Sequence, residues 1–261
     1  MKRIIFVFIL AVLFFAGCGI DKYAYLFPIP QENIIRSADL TTTVIIPYQN
    51  NPAINSSSVF THFTIFYRIY MSGVYIDNPT LGDLASINPA LSSHYNAIDY
   101  YNPSSERIFS ASLLESLFKG RGYKYLCLQG ASLDFLLSSA TLFIVPNCRL
   151  RFDFSYANRP PKMSIMSGNT LIGSEYTLLR SDDLKLPMPN GDSRFINFPE
   201  LCSPIYATSD HNADIEPNSS PIYYTYAAMF IMAAGLDVEN GYIPVYSNPT
   251  FIHAIRLPAP I

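Results

Sequence analysis

Tryptophan is absent from the 261 residues, and charged side chains make up only 14 % of them, against about a quarter in typical soluble domains. Without Trp the chain lacks the side chain that sugar-binding surfaces most often stack on rings. Basic residues are scarce as well: Lys and Arg number 17 against 20 Asp and Glu. The densest pairs are Arg121/Lys124, Arg149/Arg151 and Arg159/Lys162. Binding a phosphate backbone needs clustered cations, so nucleic acid is excluded as a partner. No Gly-x-Ser-x-Gly elbow, phosphate-cradling Gly-rich loop or His-Glu-x-x-His is present, which removes the commonest hydrolase, nucleotide and zinc-protease signatures. The four histidines, His62, His94, His211 and His253, lie far apart and have no metal-like spacing. No cofactor is implied. A catalytic set would have to be assembled from distant residues, such as His94 with Asp99 or Asp134, and the chain reads as non-enzymatic. Beyond residue 17 no apolar run is long enough to cross a bilayer. Tyr223–Leu236 comes nearest, and it is short and tyrosine-rich.

The amino terminus carries what the rest lacks. Lys2 and Arg3 precede an unbroken apolar run, Ile4–Phe15, followed by Ala16-Gly17-Cys18. A charged start, a short apolar segment and small residues are the marks of an export signal. About a dozen helical residues reach roughly 18 Å, short of a bilayer core of about 30 Å. The Ala-Gly-Cys ending resembles the bacterial lipobox, with Phe15 where Leu is usual, a departure found in the looser lipoboxes of spirochaetes. The resemblance implies cleavage before Cys18, a diacylglycerol thioether on its sulfur and an acylated amino group. Two or three acyl chains, at about 0.8 kcal/mol per buried methylene, hold a domain on a membrane essentially permanently. Cleavage removes two cations and no anion, so the formal charge moves from −3 to −5. Cys127, Cys148 and Cys202 then remain, an odd number that rules out a disulfide scaffold. Residues 1–17 are thus the expected signal peptide, 18–36 a lipidated tether and 37–261 the folded domain.

Tyrosine and phenylalanine are abundant, at 19 and 18, and Pro at 20 outnumbers Gly at 12, a mix suited to short strands and ordered loops. Thr41–Tyr48 is β-branched and stops in Gln49-Asn50-Asn51-Pro52, a turn signal. Phe60–Tyr75 alternates, with Phe63, Ile65, Tyr67 and Ile69 on one face and Thr64, Phe66, Arg68 and Tyr70 on the other, and predicts a half-buried antiparallel strand. Short helices are expected at Thr80–Ala85 and Ser92–Tyr101, and the best helix at Ser110–Lys119, stopped by Gly120. Further strands are expected at Tyr123–Gln129, Ala140–Pro146, Leu150–Ser155, Ser174–Arg180, Ile222–Ala234, Tyr242–Tyr246 and Thr250–Leu257. Gly235–Gly241 reads as a turn, and Ser181–Ser220 as a long irregular connection.

Tyr226–Ala234, a turn, and Val245-Tyr246-Ser247-Asn248-Pro249 resemble the last two strands of a fibronectin type III domain. Phe63–Tyr70 resembles the third strand of that fold. The resemblance implies a mainly β, fibronectin type III or immunoglobulin-like β-sandwich carrying a long, partly helical insertion at about residues 76–220. Within that stretch Asp210, Asn212, Asp214 and Glu216 place oxygen ligands at alternating positions, a weak calcium candidate. Ile215 and Pro221 stand where an EF-hand needs Gly and Glu, so a true EF-hand is excluded. Arg68 and Arg151 are expected to pair with Asp153 or Glu175. Tyr95, Tyr100, Tyr101, Tyr223, Tyr224 and Tyr226 suit a protein-contact patch, tyrosine being enriched at interfaces. The chain is therefore read as an exported lipoprotein, anchored through Cys18 on the periplasmic face or the cell surface. Its expected work is adhesin-like contact with envelope or host proteins. The alternatives are a glycan- or small-molecule-binding lipoprotein and an envelope hydrolase.

Overall fold

The structure, a computed structural model, describes residues 26–46, 58–99, 109–142, 144–155, 160–180, 186–187, 193–194, 214–218, 224–238 and 240–257. In chain order the strands are β1 (Ile34–Arg36), β2 (Thr41–Ile45), β3 (Ser58–Ser72), β4 (Phe109–Ser110), β5 (Lys124–Tyr125), β6 (Cys127–Leu128), β7 (Cys148–Asp153), β8 (Lys162–Ser167) and β9 (Thr170–Leu179). They continue with β10 (Leu186–Pro187), β11 (Ser193–Arg194), β12 (Ile215–Glu216), β13 (Tyr224–Asp237), β14 (Ile243–Tyr246) and β15 (Thr250–Leu257). The α-helices are α1 (Leu84–Ile87), α2 (Pro89–Asp99), α3 (Ala111–Leu117), α4 (Leu133–Leu136) and α5 (Ser139–Leu142).

The fold is mainly β, with two packed sheets. One runs β1-β2-β7-β8-β9-β6 and the other β12-β3-β13-β14-β4, with β15 joined to β13 and β5 to β3. Pairings within both are antiparallel except β12 beside β3. Phe63, Ile65, Tyr67 and Ile69 of β3 and Ala227, Met229, Ile231 and Ala233 of β13 meet Val44, Leu150, Phe152, Met163, Ile165 and Leu178 of the opposite sheet in one core. Residues 148–179 thereby supply β7, β8 and β9 to the second layer.

A second core lies behind the first. Phe66 and Tyr70 of β3 and Tyr226, Ala228 and Phe230 of β13 pack against Leu84, Ile87, Leu91, Ile98, Leu114, Leu117 and Phe118. Phe118 stacks on Phe66 at 4.4 Å and meets Phe230 edge-on at 5.6 Å, the offset and edge geometries that aromatic quadrupoles favour. The expectation of a half-buried β3 is corrected here. Helices α1–α3 cover the face that alternation alone assigns to solvent, so both faces of β3 are buried from Phe63 to Met71. β13 shows the matching pattern, a near-continuous apolar run with small alanines, as a strand covered on both faces requires.

Four more expectations change. Tyr123–Gln129 is two strands, because the chain leaves β3 at β5 and joins β9 at β6, crossing between sheets. The described residues of Ala140–Pro146 form no strand: the stretch starts in the helical turn α5, closed by bonds from the Thr141 and Leu142 N–H groups to the Ser138 carbonyl. Short apolar runs do not separate helix from strand by periodicity. Helix α3 ends at Leu117, and a 3-10 turn, Lys119–Arg121, carries the chain through Gly120 to a stop at Gly122. Gly122 has φ +72°, and the Tyr123 N–H returns to the Phe118 carbonyl, a left-handed closure that glycine adopts without steric cost. β13 also runs on through Gly235, Leu236 and Asp237 before turning.

Candidate functional site

A cavity opens where the chain crosses between sheets. It measures about 560 Å³ and is lined by His62 and Thr64 of β3, Tyr125–Leu128, Ala131–Asp134 and Tyr246. Strand β3 loses a continuous neighbour here. β5 pairs only with Phe66 and Tyr67, while the Leu126 N–H reaches the Ile65 carbonyl and the Phe63 N–H the Leu137 carbonyl. Chain 126–137 therefore arches over β3 at Thr64. Leu126, Leu133, Leu136 and Leu137 pull the arch into the core between the sheets, and Cys127, Ser132 and Asp134 line the opening.

Ser132 caps α4, its hydroxyl accepting from the Phe135 N–H, and so places Asp134 in the first turn, where the helix end favours negative charge. The Asp134 carboxylate lies 3.7 Å from His62 Nε2, and Thr61 Oγ1 is 3.0 Å from His62 Nδ1. Tyr246 also lines the cavity. Burial raises its hydroxyl pKa, the Asp134 charge adds to the effect and Lys119 opposes it. Cys127 is half-buried in the lining and carries no disulfide. One carboxylate, one imidazole, hydroxyls and two tyrosine faces around a cavity of this size suit a small polar ligand.

No family model, curated protein or solved structure matches this chain. The site's chemistry therefore rests on its own residues. Cys18, His211, Asp210 and Asn212 lie outside the described residues, as do Tyr100, Tyr101, Tyr223 and Cys202. Asp214 is fully buried, held by Arg180 Nε at 2.8 Å and by its Nη2, and accepting from the Tyr67 hydroxyl at 2.8 Å. Glu216 pairs with Arg68. The other two candidate calcium ligands thus each face an arginine, and no cluster of three His, Cys, Asp or Glu suited to a metal occurs among the described residues. Arg151 does meet Asp153, at 3.7 Å, whereas Glu175 holds Lys162 at 2.9 Å. Among the described residues no helix is long and apolar enough to cross a membrane.

The structure does not bring His94 to Asp134. His94 Nδ1 sits 2.8 Å from the Tyr70 hydroxyl, which donates in turn to Tyr123 at 3.0 Å. Burial lowers the His94 pKa to about 4, helped by Arg68 and Arg121. His253 is likewise buried, between Thr42 and the Pro79 carbonyl. Of the six tyrosines expected on a contact patch, Tyr226 is wholly buried and bonded to the 74–76 backbone, while Tyr95 and Tyr224 pack against Phe251 and Tyr75. The residues that do converge, His62 with Asp134, Cys127 and Tyr246, come from four segments 62 to 246. The sequence singles out His62 only as one of four scattered histidines and Asp134 only as a candidate partner of His94, with Cys127 on an expected strand.

Proposed function

We propose that this chain is an exported envelope lipoprotein, held on a membrane by lipid at Cys18, whose folded part is a non-enzymatic binding domain. The observation that carries this reading is the order Lys2-Arg3, Ile4–Phe15, Ala16-Gly17-Cys18. The domain is a fibronectin type III-like sandwich working through contacts with envelope or host proteins. Supporting that fold, β3, β13 and β14, which hold the segments that carry the resemblance, lie side by side and antiparallel in one sheet. Metabolic labelling with palmitate tests the anchor: wild type takes up label, Cys18→Ala does not, and equal labelling refutes it.

The cavity favours a second reading, a small-molecule or glycan ligand. Its polar groups and tyrosine walls are concentrated in one opening, and Asp134 with His62 can accept and donate to hydroxyls. A panel of neutral saccharides and polyols screened by melting temperature tests it. A hit should be lost in Tyr246→Ala and Asp134→Ala, and a hit retained in both discards the cavity as its site.

A further inference from the structure

The outer face of the six-stranded sheet carries a second, smaller cleft of about 220 Å³, lined by Thr41 and Thr43 of β2, Arg149 and Arg151 of β7, and Met166, Gly168 and Asn169 of the β8–β9 turn. Arg149 and Arg151 are two residues apart on one strand, so their side chains leave the same face roughly 7 Å apart. Thr43 lies directly across from Arg151 in the ladder. Two arginines side by side are unusual in a chain with so few basic residues.

The hydrogen-bonding state of the lining decides what the cleft can take. A guanidinium has five N–H donors and no acceptor. Among the described residues Arg149 spends one donor, at 3.5 Å on Asn169 Oδ1. Arg151 meets Asp153 at 3.7 Å, beyond hydrogen-bond distance. Because Asn169 Oδ1 accepts from Arg149, its NH2 group remains as a further donor. Of the nearby carboxylates, Asp39 binds the Thr41 hydroxyl and N–H, Glu175 binds Lys162, and Asp153, the one beside Arg151, accepts from the Ser155 N–H and hydroxyl through its Oδ1. No carboxylate lines the cleft. Donors outnumber acceptors, charge is positive, and the volume is below that of pockets for drug-sized ligands.

We propose that this cleft binds a single phosphate group, gripped by the Arg149 and Arg151 guanidiniums with Asn169 and the Thr43 hydroxyl completing the set. Planar forks with paired donors match the oxygens of phosphate, which a lysine ammonium does not. The group arrives either as free phosphate or as the phosphodiester of a lipid headgroup.

Calorimetric titration of the full purified chain tests this, with inorganic phosphate in one arm and glycerophosphoglycerol, a headgroup without its acyl chains, in the other, at ionic strength held constant with chloride. Saturable one-to-one binding is expected, and the tighter arm identifies the source. Arg149→Gln and Arg151→Gln should each weaken binding at least tenfold, as loss of a charged hydrogen bond does. Arg151→Lys keeps the charge and should fall between, which preserves the test if a glutamine variant fails to fold. Lys162→Gln, on the same face but bound to Glu175, should change affinity less than twofold. Absence of saturation in both arms, or equal weakening by Lys162→Gln, overturns the proposal.

Discussion

Acidification should loosen the contact between the two sheets through His253. This residue, 2 % exposed on β15, sits 3.0 Å from Thr42 Oγ1 of β2 in the other sheet and 3.3 Å from the Pro79 carbonyl. A carbonyl only accepts, so Nε2 carries the proton towards Pro79 and Nδ1 accepts from the Thr42 hydroxyl. Burial lowers the His253 pKa to about 4, the Arg36 guanidinium adds to it and the Pro79 carbonyl opposes. The unfolded chain takes up this proton near 6.5, the folded one only near 4. Between those values the unfolded state holds more protons, so stability falls as pH falls, and it levels off below about 4. At 1.36 kcal/mol per pH unit the complete loss is about 3 kcal/mol, of which about 2.5 has gone by pH 4.5. Urea unfolding of wild type and His253→Gln at pH 7 and pH 4.5 reads it out. His94, which is half exposed and more strongly screened, titrates in both proteins and cancels in the comparison. The glutamine variant should start less stable at pH 7 and lose about 2 kcal/mol less on acidification. Equal pH sensitivity of the two proteins would refute the assignment of a neutral, buried His253.

Three further outcomes are expected. Asp214→Asn leaves the Arg180 charge buried without its counterion and should cost about 3–5 kcal/mol in urea unfolding, whereas the apolar double variant Arg180→Met/Asp214→Leu should recover much of that. Gly122→Ala forces a Cβ into a backbone at φ +72° and should destabilise by about 1 kcal/mol, seen as a fall in melting temperature. Cys148 is fully buried, which raises its thiol pKa to about 11, so iodoacetamide at pH 8 should modify half-buried Cys127 and leave Cys148 intact, as mapped by peptide mass spectrometry.

Strand positions were legible where a segment's own side chains decide its conformation. β2, β7 and the end of β9 follow β-branched or alternating runs, and β14 and β15 were readable from turn residues on either side. α3 was readable from the apolar spacing of Leu113, Leu114, Leu117 and Phe118, and α2 begins at Pro89, ahead of the helix expected at Ser92–Tyr101. Several failures share a cause: a neighbour distant in sequence overrides local pattern. Phe66 and Tyr70 look like an outward face until α1–α3, built from residues 84–117, close over them. Tyr123–Gln129 looks like one strand because each half has β propensity, and only the presence of two receiving edges, on β3 and β9, makes it two. His94 had no visible partner because Tyr70 and Tyr123 approach it from separate elements.

The same reasoning explains why the principal cavity escaped the sequence while the arginine cleft was half visible. Arg149 and Arg151 share a face by strand geometry alone, since a two-residue step repeats the side-chain direction, and only Thr43 and Asn169 depend on sheet pairing and a turn. The cavity at Thr64 has no such local rule. It exists because chain 126–137 must cross between sheets, and a crossing chain cannot pair continuously with β3. His62 and Thr64 therefore keep polar side chains beside an arch whose leucines are drawn inward. His62, Cys127, Asp134 and Tyr246 meet there as a consequence of topology. A change that stopped the crossing, such as loss of the β6–β9 pairing through Leu179→Pro, should abolish any ligand bound at the cavity while leaving phosphate binding at Arg149 and Arg151, two strands away, measurable in the same preparation. Loss of both together would mean that the two sites share a folding unit rather than occupying independent parts of the sandwich.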